Sequence, residues 1–293
     1  MKEQLAKSLL VKTKQPEYWF NVEYNMNMYR GCSHGCIYCD SRSECYRIDD
    51  FEDITVKSNA PQLLRRELAR LKRKALIGTG AMSDPYIPAE RGLKLTGQLL
   101  EVLLEANFPV HITTKSDLIV RDKELLGAIA ARSFASAGFT VTTCDERLSS
   151  WIEPHAPAPS ARLTAMKALA DQGVYTGILL MPVLPFLLDH PGNLTTVMEQ
   201  AKLHGARFII PMFGVTLRDR QREYYYQKLG GHRPLLVSQY QRAYGGRYHC
   251  ESFRAKQLWS MLQDYCRKHG IACTMDGLKQ FPKEEEPEQL DLF

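Results

Sequence analysis

The residues of this sequence best suited to chemistry are three cysteines in one short loop. Cys32, Cys36 and Cys39 are separated by three and then two residues, so one loop can bring all three thiols to a single inorganic centre. A structural zinc ion usually takes four ligands, whereas three thiolates suit a cubane iron–sulfur cluster with one iron left open. The alternatives are a zinc site completed by His34 or Cys45, and chance clustering.

The elements that must position this loop follow from an alternation of short apolar runs and helix-like runs. Continuous β-branched and apolar runs of this kind predict a parallel sheet covered by helices, and about six such units form an open or closed α/β barrel. Functional residues should then lie where strands end and loops begin. The predicted strands are 75–77, 110–114, 138–143, 175–181 and 208–212, and the predicted helices are 93–106, 122–131, 161–172 and 194–204.

The composition is that of a globular protein. The chain has 293 residues, of which 44% are apolar and 24% charged, which excludes a collagen, a coiled-coil rod and a wholly disordered chain. The longest apolar run, 177–188, is shorter than the roughly 20 residues of a membrane helix. With no secretory signal and with clustered cysteines, we expect a cytoplasmic protein without membrane contact.

The chain changes character after residue 215. Residues 216–270 contain eleven Lys and Arg against four Asp and Glu, are rich in tyrosine, and end in one predicted helix, 252–269. We therefore divide the chain into a barrel (1–215), an Arg- and Tyr-rich C-terminal extension (216–277) and an acidic, flexible tail (278–293). The basic extension favours an anionic partner.

The cysteine loop resembles that of the radical S-adenosylmethionine (SAM) superfamily, and further motifs narrow the resemblance to the spore photoproduct lyase family. It implies a partial barrel of radical SAM type in which Cys32, Cys36 and Cys39 hold a [4Fe-4S] cluster. The open iron would bind SAM, and one electron would cleave SAM to a 5′-deoxyadenosyl radical. The matching motifs are Tyr29-Arg30-Gly31-Cys32, Ser83-Asp84-Pro85-Tyr86, Thr113-Thr114-Lys115-Ser116, Glu153-Pro154 with Arg162-Leu163, and Met181-Pro182.

The resemblance also implies roles for residues after successive strands. Tyr38 is expected near the adenine of SAM, and Ser83 and Asp84 near its methionine end. Lys115 is expected at the carboxylate and Thr143 at the ribose hydroxyls. The alternatives are turn chemistry for the Ser-Asp-Pro segment and a solvent-exposed lysine at position 115.

Two positions depart from the lyase pattern. The lyase has a hydrogen-donating cysteine where this chain has Ala81, and a tyrosine where it has Asp40. Tyr38 remains, and Cys144 is a candidate replacement if it points into the barrel; the alternative is a small buried hydrophobe. We therefore predict an intact radical step but not faithful lyase activity. Glu90 is interpreted as a substrate contact or a helix cap.

The extension is similar, loosely, to the lyase segment that inserts between DNA strands. Arginine binds phosphate, tyrosine stacks on bases, and a glycine pair permits a tight turn. The alternative is a solvated Arg-rich face whose aromatic residues pack inward. The predicted nucleic-acid contacts are Arg218, Arg220, Arg222, Tyr244, Arg247 and Tyr248.

The last five residues resemble the short peptide with which bacterial repair proteins bind the DNA sliding clamp. Leu290, Leu292 and Phe293 would be apolar anchors and Gln289 a hydrogen-bonding residue, tethered by 278–288. The alternative is a frayed end that folds back onto the body.

Together these features predict a radical SAM enzyme that acts on nucleic acid, with damaged DNA as the favoured substrate. Such an enzyme needs an electron donor, for example a flavodoxin or ferredoxin. Two rivals remain: a radical enzyme for RNA, a peptide or a small molecule, and a zinc-stabilised DNA-binding accessory protein.

Overall fold

The structure is a computed structural model that describes residues 1–279 and 281. Its strands are β1 (Lys2–Gln4), β2 (Leu10–Lys12), β3 (Tyr24–Met26), β4 (Tyr29–Arg30), β5 (Thr55–Lys57), β6 (Ile77–Thr79), β7 (Val110–Thr114), β8 (Ala135–Thr140), β9 (Tyr175–Leu180), β10 (Phe208–Pro211), β11 (Gly214–Thr216) and β12 (His249–Glu251). Its α-helices are α1 (Ala60–Leu68), α2 (Glu90–Leu93), α3 (Leu95–Glu105), α4 (Lys123–Arg132), α5 (Glu146–Ile152), α6 (Pro159–Ala170), α7 (Pro191–Leu203), α8 (Asp219–His232), α9 (Pro234–Tyr244) and α10 (Ala255–His269). Short 3-10 helices cover Pro16–Tyr18, Asp40–Arg42, Glu44–Tyr46 and Asp117–Asp122.

A seven-stranded sheet with the order β10-β9-β8-β7-β6-β3-β2 forms the centre of the molecule. The six strands from β10 to β3 are all parallel, and β2 is added antiparallel at one edge. Every residue of β8 is buried, as expected for a parallel strand covered on both faces. This arrangement confirms the predicted α/β fold with a partial (β/α)6 barrel.

One strand lies earlier in the chain than its apolar pattern predicts. The run 138–143 is the most β-like part of this segment, but β8 begins at Ala135 and ends at Thr140. Its pairing with β7 starts at Val110 opposite Ala135, immediately after α4. Small residues of low β-propensity therefore enter the strand because both its faces are covered. Residues 141–144 consequently belong to the loop before α5.

A small three-stranded sheet, β1-β5-β4, supports the segment that enters the cysteine loop. Strand β4 pairs antiparallel with β5, and β5 pairs parallel with β1. The amide of Cys32 then donates to the carbonyl of Phe51. Gly31 has φ +91°, and a Cβ there would lie 2.7 Å from the same carbonyl oxygen, so only glycine fits at this turn. The small sheet therefore fixes the start of the loop.

The C-terminal extension packs as helices and is joined to the barrel by a strand pair. Strands β11 and β12 are antiparallel, so the predicted boundary at 215/216 falls inside β11. Helices α8 and α9 pack on each other, and α10 packs on α7. Among residues 1–279 and 281, no helix has both the length and the apolarity needed to cross a membrane.

Candidate active site

A cavity of about 480 Å³ opens at the carboxyl ends of the parallel strands. It is lined by the three loop cysteines and by residues that follow β6 and β7, among them Ala81 and Lys115. In a parallel α/β barrel this end carries the functional loops. The cavity therefore brings together the motifs that the sequence separates by more than a hundred residues.

The cysteine loop presents a donor set of three free thiols to this cavity. Cys32 and Cys36 are buried, Cys39 is half-buried, and all three line the cavity. Cys45 is exposed and lies outside the lining. Three thiols on the wall of one cavity fit a cluster held by three thiolates. The position of Cys45 does not support it as the fourth ligand of a zinc ion, and His34 faces the carboxylate of Asp84 at 3.4 Å.

The Asp84 carboxylate contacts three segments of the site. Its carboxylate accepts hydrogen bonds from the Lys115 amide (2.7 Å), from the Thr114 hydroxyl (2.7 Å) and from the Tyr86 amide (2.8 Å). It also lies 3.4 Å from Nδ1 of His34 in the cysteine loop. Burial disfavours the charged carboxylate, but the facing His34 and these donors lower the pKa of Asp84 to about 2. Asp84 therefore positions the loops around the cavity.

Ser83 lies beside Asp84 but does not line the cavity. Its side chain is buried, and its hydroxyl has no hydrogen-bond partner within the part of the chain that the structure describes. An unsatisfied buried hydroxyl is costly, so a partner is expected when the site is filled. Its predicted contact with the methionine end of SAM stays a prediction.

Lys115 is the only Lys or Arg side chain among the residues that line the described cavity. Its Nζ lies 5.6 Å from the ring centroid of Tyr38, which lines the same cavity. Burial alone would lower the pKa of Lys115, but Cys36, Glu153 and Cys39 raise it. A half-buried cation at this place can bind a carboxylate.

A buried ion pair between Glu153 and Arg162 fixes the Tyr38 side chain. The Tyr38 hydroxyl donates to Glu153, whose other oxygen lies 2.6 Å from Nη1 of Arg162. Arg162 also donates to the carbonyl oxygens of Thr140 and Pro157, at 3.0 and 2.7 Å. Burial opposes ionisation of Glu153, but Arg162 lowers the pKa of its carboxyl. Sequence analysis matched Glu153 and Arg162 only as motif residues and gave them no role; here they orient the Tyr38 ring.

Two further predicted site residues, Thr143 and Cys144, lie outside the cavity lining. Because β8 ends at Thr140, it is Thr140 that lines the cavity, whereas the Thr143 hydroxyl accepts a hydrogen bond from the Asp145 amide. Cys144, in the same loop, packs against the hydrophobic core, and burial raises the pKa of its thiol to about 11. Neither side chain lines the cavity, because the strand ends three residues earlier than predicted. For Cys144 this packing agrees with the alternative of a small hydrophobic residue packed in the core.

Glu90 is fully buried, which excludes the substrate contact. Its carboxylate accepts from the Thr96 amide (2.9 Å), from Nη2 of Arg121 (2.9 Å) and from the Tyr29 hydroxyl. The helix-capping alternative is therefore the correct one, extended by a bond to the strand that precedes the cysteine loop.

The arginines at the start of α8 bind the protein itself. Arg218 pairs with Asp40 at 2.8 Å. Arg220 donates to the carbonyl oxygens of Arg42 and Ile48, and Arg222 donates to those of Leu217, Gly246 and Arg247. The guanidinium groups of Arg218 and Arg220 fasten the extension to the segment after the cysteine loop, whereas that of Arg222 joins parts of the extension to each other. This positioning role was not predicted from the sequence, and contact of these arginines with phosphate stays a prediction.

The glycine pair Gly245-Gly246 follows the end of a helix, because α9 runs through Tyr244. Tyr244 is 4% exposed and its hydroxyl donates to the Glu251 carbonyl at 2.6 Å, so it cannot stack on a base. Arg247 is exposed and Tyr248 is 38% exposed, and their contact with nucleic acid stays a prediction. The clamp-like residues Gln289, Leu290, Leu292 and Phe293 lie outside the described residues.

Sequence reasoning missed part of the cavity wall. Trp19 and Asn25 line it from the edge of the sheet, and the Asn25 side-chain amide donates to Thr13 at 3.0 Å. Tyr46 also lines it, and its hydroxyl donates to Asp40 at 3.1 Å. No local spacing marks these residues, since they reach the cavity only through the fold.

Comparison with known proteins agrees with this geometry. The family model of the radical SAM superfamily matches residues 26–191. An uncharacterised protein of Mycobacterium tuberculosis is 32% identical over 249 residues, covering 83% of this chain and 73% of its own length. An uncharacterised protein of Methanocaldococcus jannaschii is 32% identical over 189 residues, covering 63% of this chain and 68% of its own.

Solved structures show the same fold. A spore photoproduct lyase variant with bound AdoMet and dinucleoside spore photoproduct superposes with a TM-score of 0.67 at 15% identity, covering 92% of this chain and 80% of its own. The cavity, its three thiols and the family match identify this chain as an enzyme with a [4Fe-4S] cluster and SAM as cofactors. The chain therefore belongs to the radical SAM superfamily.

Proposed function

We propose that this enzyme acts on DNA and repairs or modifies a damaged base. The observation that carries the proposal is the extent of the likeness to spore photoproduct lyase. A match over 92% of the chain reaches well beyond residues 26–191, so it includes the Arg- and Tyr-rich extension as well as the barrel. The extension adjoins the cavity, because Thr216 is part of the lining and Arg218 pairs with the lining residue Asp40.

When bound, the cluster and SAM supply a 5′-deoxyadenosyl radical. The protein's own task is to bind and orient. Cys32, Cys36 and Cys39 would hold the cluster, and Lys115 would pair with the carboxylate of SAM. Tyr38, fixed through Glu153, would offer its ring to the adenine.

The residues that line the cavity support a reaction that differs from that of the lyase in one step, the return of a hydrogen atom to the product. Ala81 lines the cavity, and the thiols among its described lining residues are those of the cluster loop. A cysteine donor is therefore missing from the wall. Two lining hydroxyls lie beside Asp40, those of Thr216 and Tyr46. The phenol is that of Tyr46, whose pKa burial raises to about 12, so it stays protonated at neutral pH.

The proposal is tested by quantifying 5′-deoxyadenosine after anaerobic reconstitution and chemical reduction, with and without UV-irradiated DNA. Turnover that rises with irradiated DNA supports it. Turnover that ignores DNA keeps the radical chemistry and directs the search to RNA, peptides and small molecules. Cys36→Ala is the control, because it removes one cluster ligand.

Two partner proposals accompany this function. A flavodoxin or ferredoxin would supply the electron, which is tested by replacing the chemical reductant with the reduced protein. The terminal peptide would bind the bacterial sliding clamp, which is tested by deleting 289–293 and measuring clamp binding. Unchanged clamp binding after the deletion would rule out the peptide.

A further inference from the structure

A second cavity, of about 400 Å³, lies on the surface of the extension. It is formed between the loop after β9 and the start of α10. Its lining combines two aromatic rings with polar and charged side chains: Phe186, Asp189, His190, Gln239, Phe253 and Arg254. Such a mixture suits a ligand with a flat apolar face and polar edges.

Phe253 presents one face of its ring to solvent. The residue is 73% exposed, and its ring stacks on Tyr244 with centroids 5.8 Å apart and an angle of 17°. One face is therefore covered and the other is open. Phe186, 36% exposed, lies beside it with its centroid 6.0 Å away. Among the described residues no further ring stacks on the open face, so a ligand can supply one.

The tyrosine rings beneath Phe253 are held in place by packing and by a hydrogen bond. Tyr240 packs against Tyr244 at 5.6 Å, and its hydroxyl donates to the Pro185 carbonyl at 2.9 Å. The next residue, Phe186, has φ +64°, a conformation that bulky residues rarely adopt. The Tyr240 bond holds the backbone at this point. Rings fixed in this way lose little entropy when a partner stacks on them.

The polar groups of the cavity match a nucleotide. Arg254 supplies a cation for a phosphate, and Gln239 an amide for a base edge. Asp189 is 8% exposed and accepts a hydrogen bond from Ser252 at 2.6 Å, so its carboxylate is held in place. The excess of Lys and Arg in 216–270 gives the surface the charge that attracts a polyanion.

We propose that this cavity binds an unpaired base of single-stranded DNA next to the target nucleotide. The base stacks on the open face of Phe253, and Arg254 contacts the adjoining phosphate. The inference rests on the proposed DNA substrate and adds its binding site. The two cavities share the loop after β9: Pro182 lines the first and Phe186, four residues later, lines the second, a span of at most about 14 Å.

The test is fluorescence anisotropy of the reconstituted enzyme with a labelled, unstructured single-stranded DNA. Phe253→Ala should weaken binding about 5- to 150-fold, the range for loss of one stacked base. Phe253→Trp should retain binding because the ring is kept. Leu235→Ala is the matched control, since Leu235 is 79% exposed on α9 and lies outside the cavity lining.

Equal binding by Phe253→Ala and Leu235→Ala would overturn the inference, as would a Trp variant as weak as the Ala variant. Preference for RNA, or displacement of the DNA by an aromatic peptide, would also overturn it. The DNA-independent release of 5′-deoxyadenosine should be the same in all variants. Stacking-dependent DNA binding without stimulation by irradiated DNA would retain this site while refuting the proposed repair reaction.

Discussion

The ion pair between Glu153 and Arg162 gives the sharpest prediction for stability. Both side chains are 1% exposed and 2.6 Å apart, so Arg162→Met leaves a carboxyl buried without its cation. The variant can avoid the buried, unpaired charge by keeping Glu153 protonated. At pH 7 this costs about 1.36 kcal/mol for each pH unit above the unfolded pKa of about 4.3, or ~3.7 kcal/mol. Breaking a buried ion pair typically costs about 3–5 kcal/mol, which agrees with this value. We therefore expect Arg162→Met to lower the free energy of unfolding at pH 7 by about 4 kcal/mol.

The sign of the pH dependence follows from the same argument. In the native protein the pKa of Glu153 lies below its ordinary value, so its contribution is present above about pH 4.3 and is lost as pH falls below that. In Arg162→Met the pKa of this carboxyl is raised instead. The penalty then grows with pH above about 4.3 and should be only ~1 kcal/mol at pH 5.

The assay is urea unfolding of the apoprotein at pH 5 and pH 7. Lys167→Met on the same helix is the matched control, because its pair with Asp171 is 55% and 59% exposed and should contribute under about 0.5 kcal/mol. Adding Glu153→Gln to Arg162→Met should restore part of the stability at pH 7. A loss from Arg162→Met no larger than that of the control, or one independent of pH, would refute the reasoning.

Three further predictions concern the cavity. Cys36→Ala should abolish iron binding, whereas Cys45→Ala should leave the iron content unchanged; equal loss in both would favour a different ligand set. Lys115→Met should weaken SAM binding by about 10- to 100-fold in calorimetry, and an unchanged affinity would exclude the carboxylate contact. Gly80→Ala should prevent stable folding, because φ is +95° and the new Cβ would lie 1.9 Å from the Thr113 carbonyl oxygen. Gly231→Ala, in open space on α8, should stabilise by about 0.5–1 kcal/mol, and circular dichroism melts compare the two.

The cysteine loop and the parallel sheet were determined by the sequence alone. Cys32, Cys36 and Cys39 are so close in the chain that their spacing defines the donor set. The alternation of apolar strands and amphipathic helices is likewise a local signal, and its physical basis is burial of the strands on both faces. These features needed no knowledge of distant contacts.

The tertiary structure decided which side chains face the site and which hold it. Tyr38 and Glu153 are 115 residues apart in the chain and meet only in the fold. The end of β8 at Thr140 is set by pairing with β9, in which Thr140 lies opposite Leu179, and this selects Thr140 over Thr143. Composition showed an excess of arginine and tyrosine in the extension but not which of them are buried. Which side chains of the extension are buried depends on long-range packing, which buries Tyr244 and leaves Phe253 exposed.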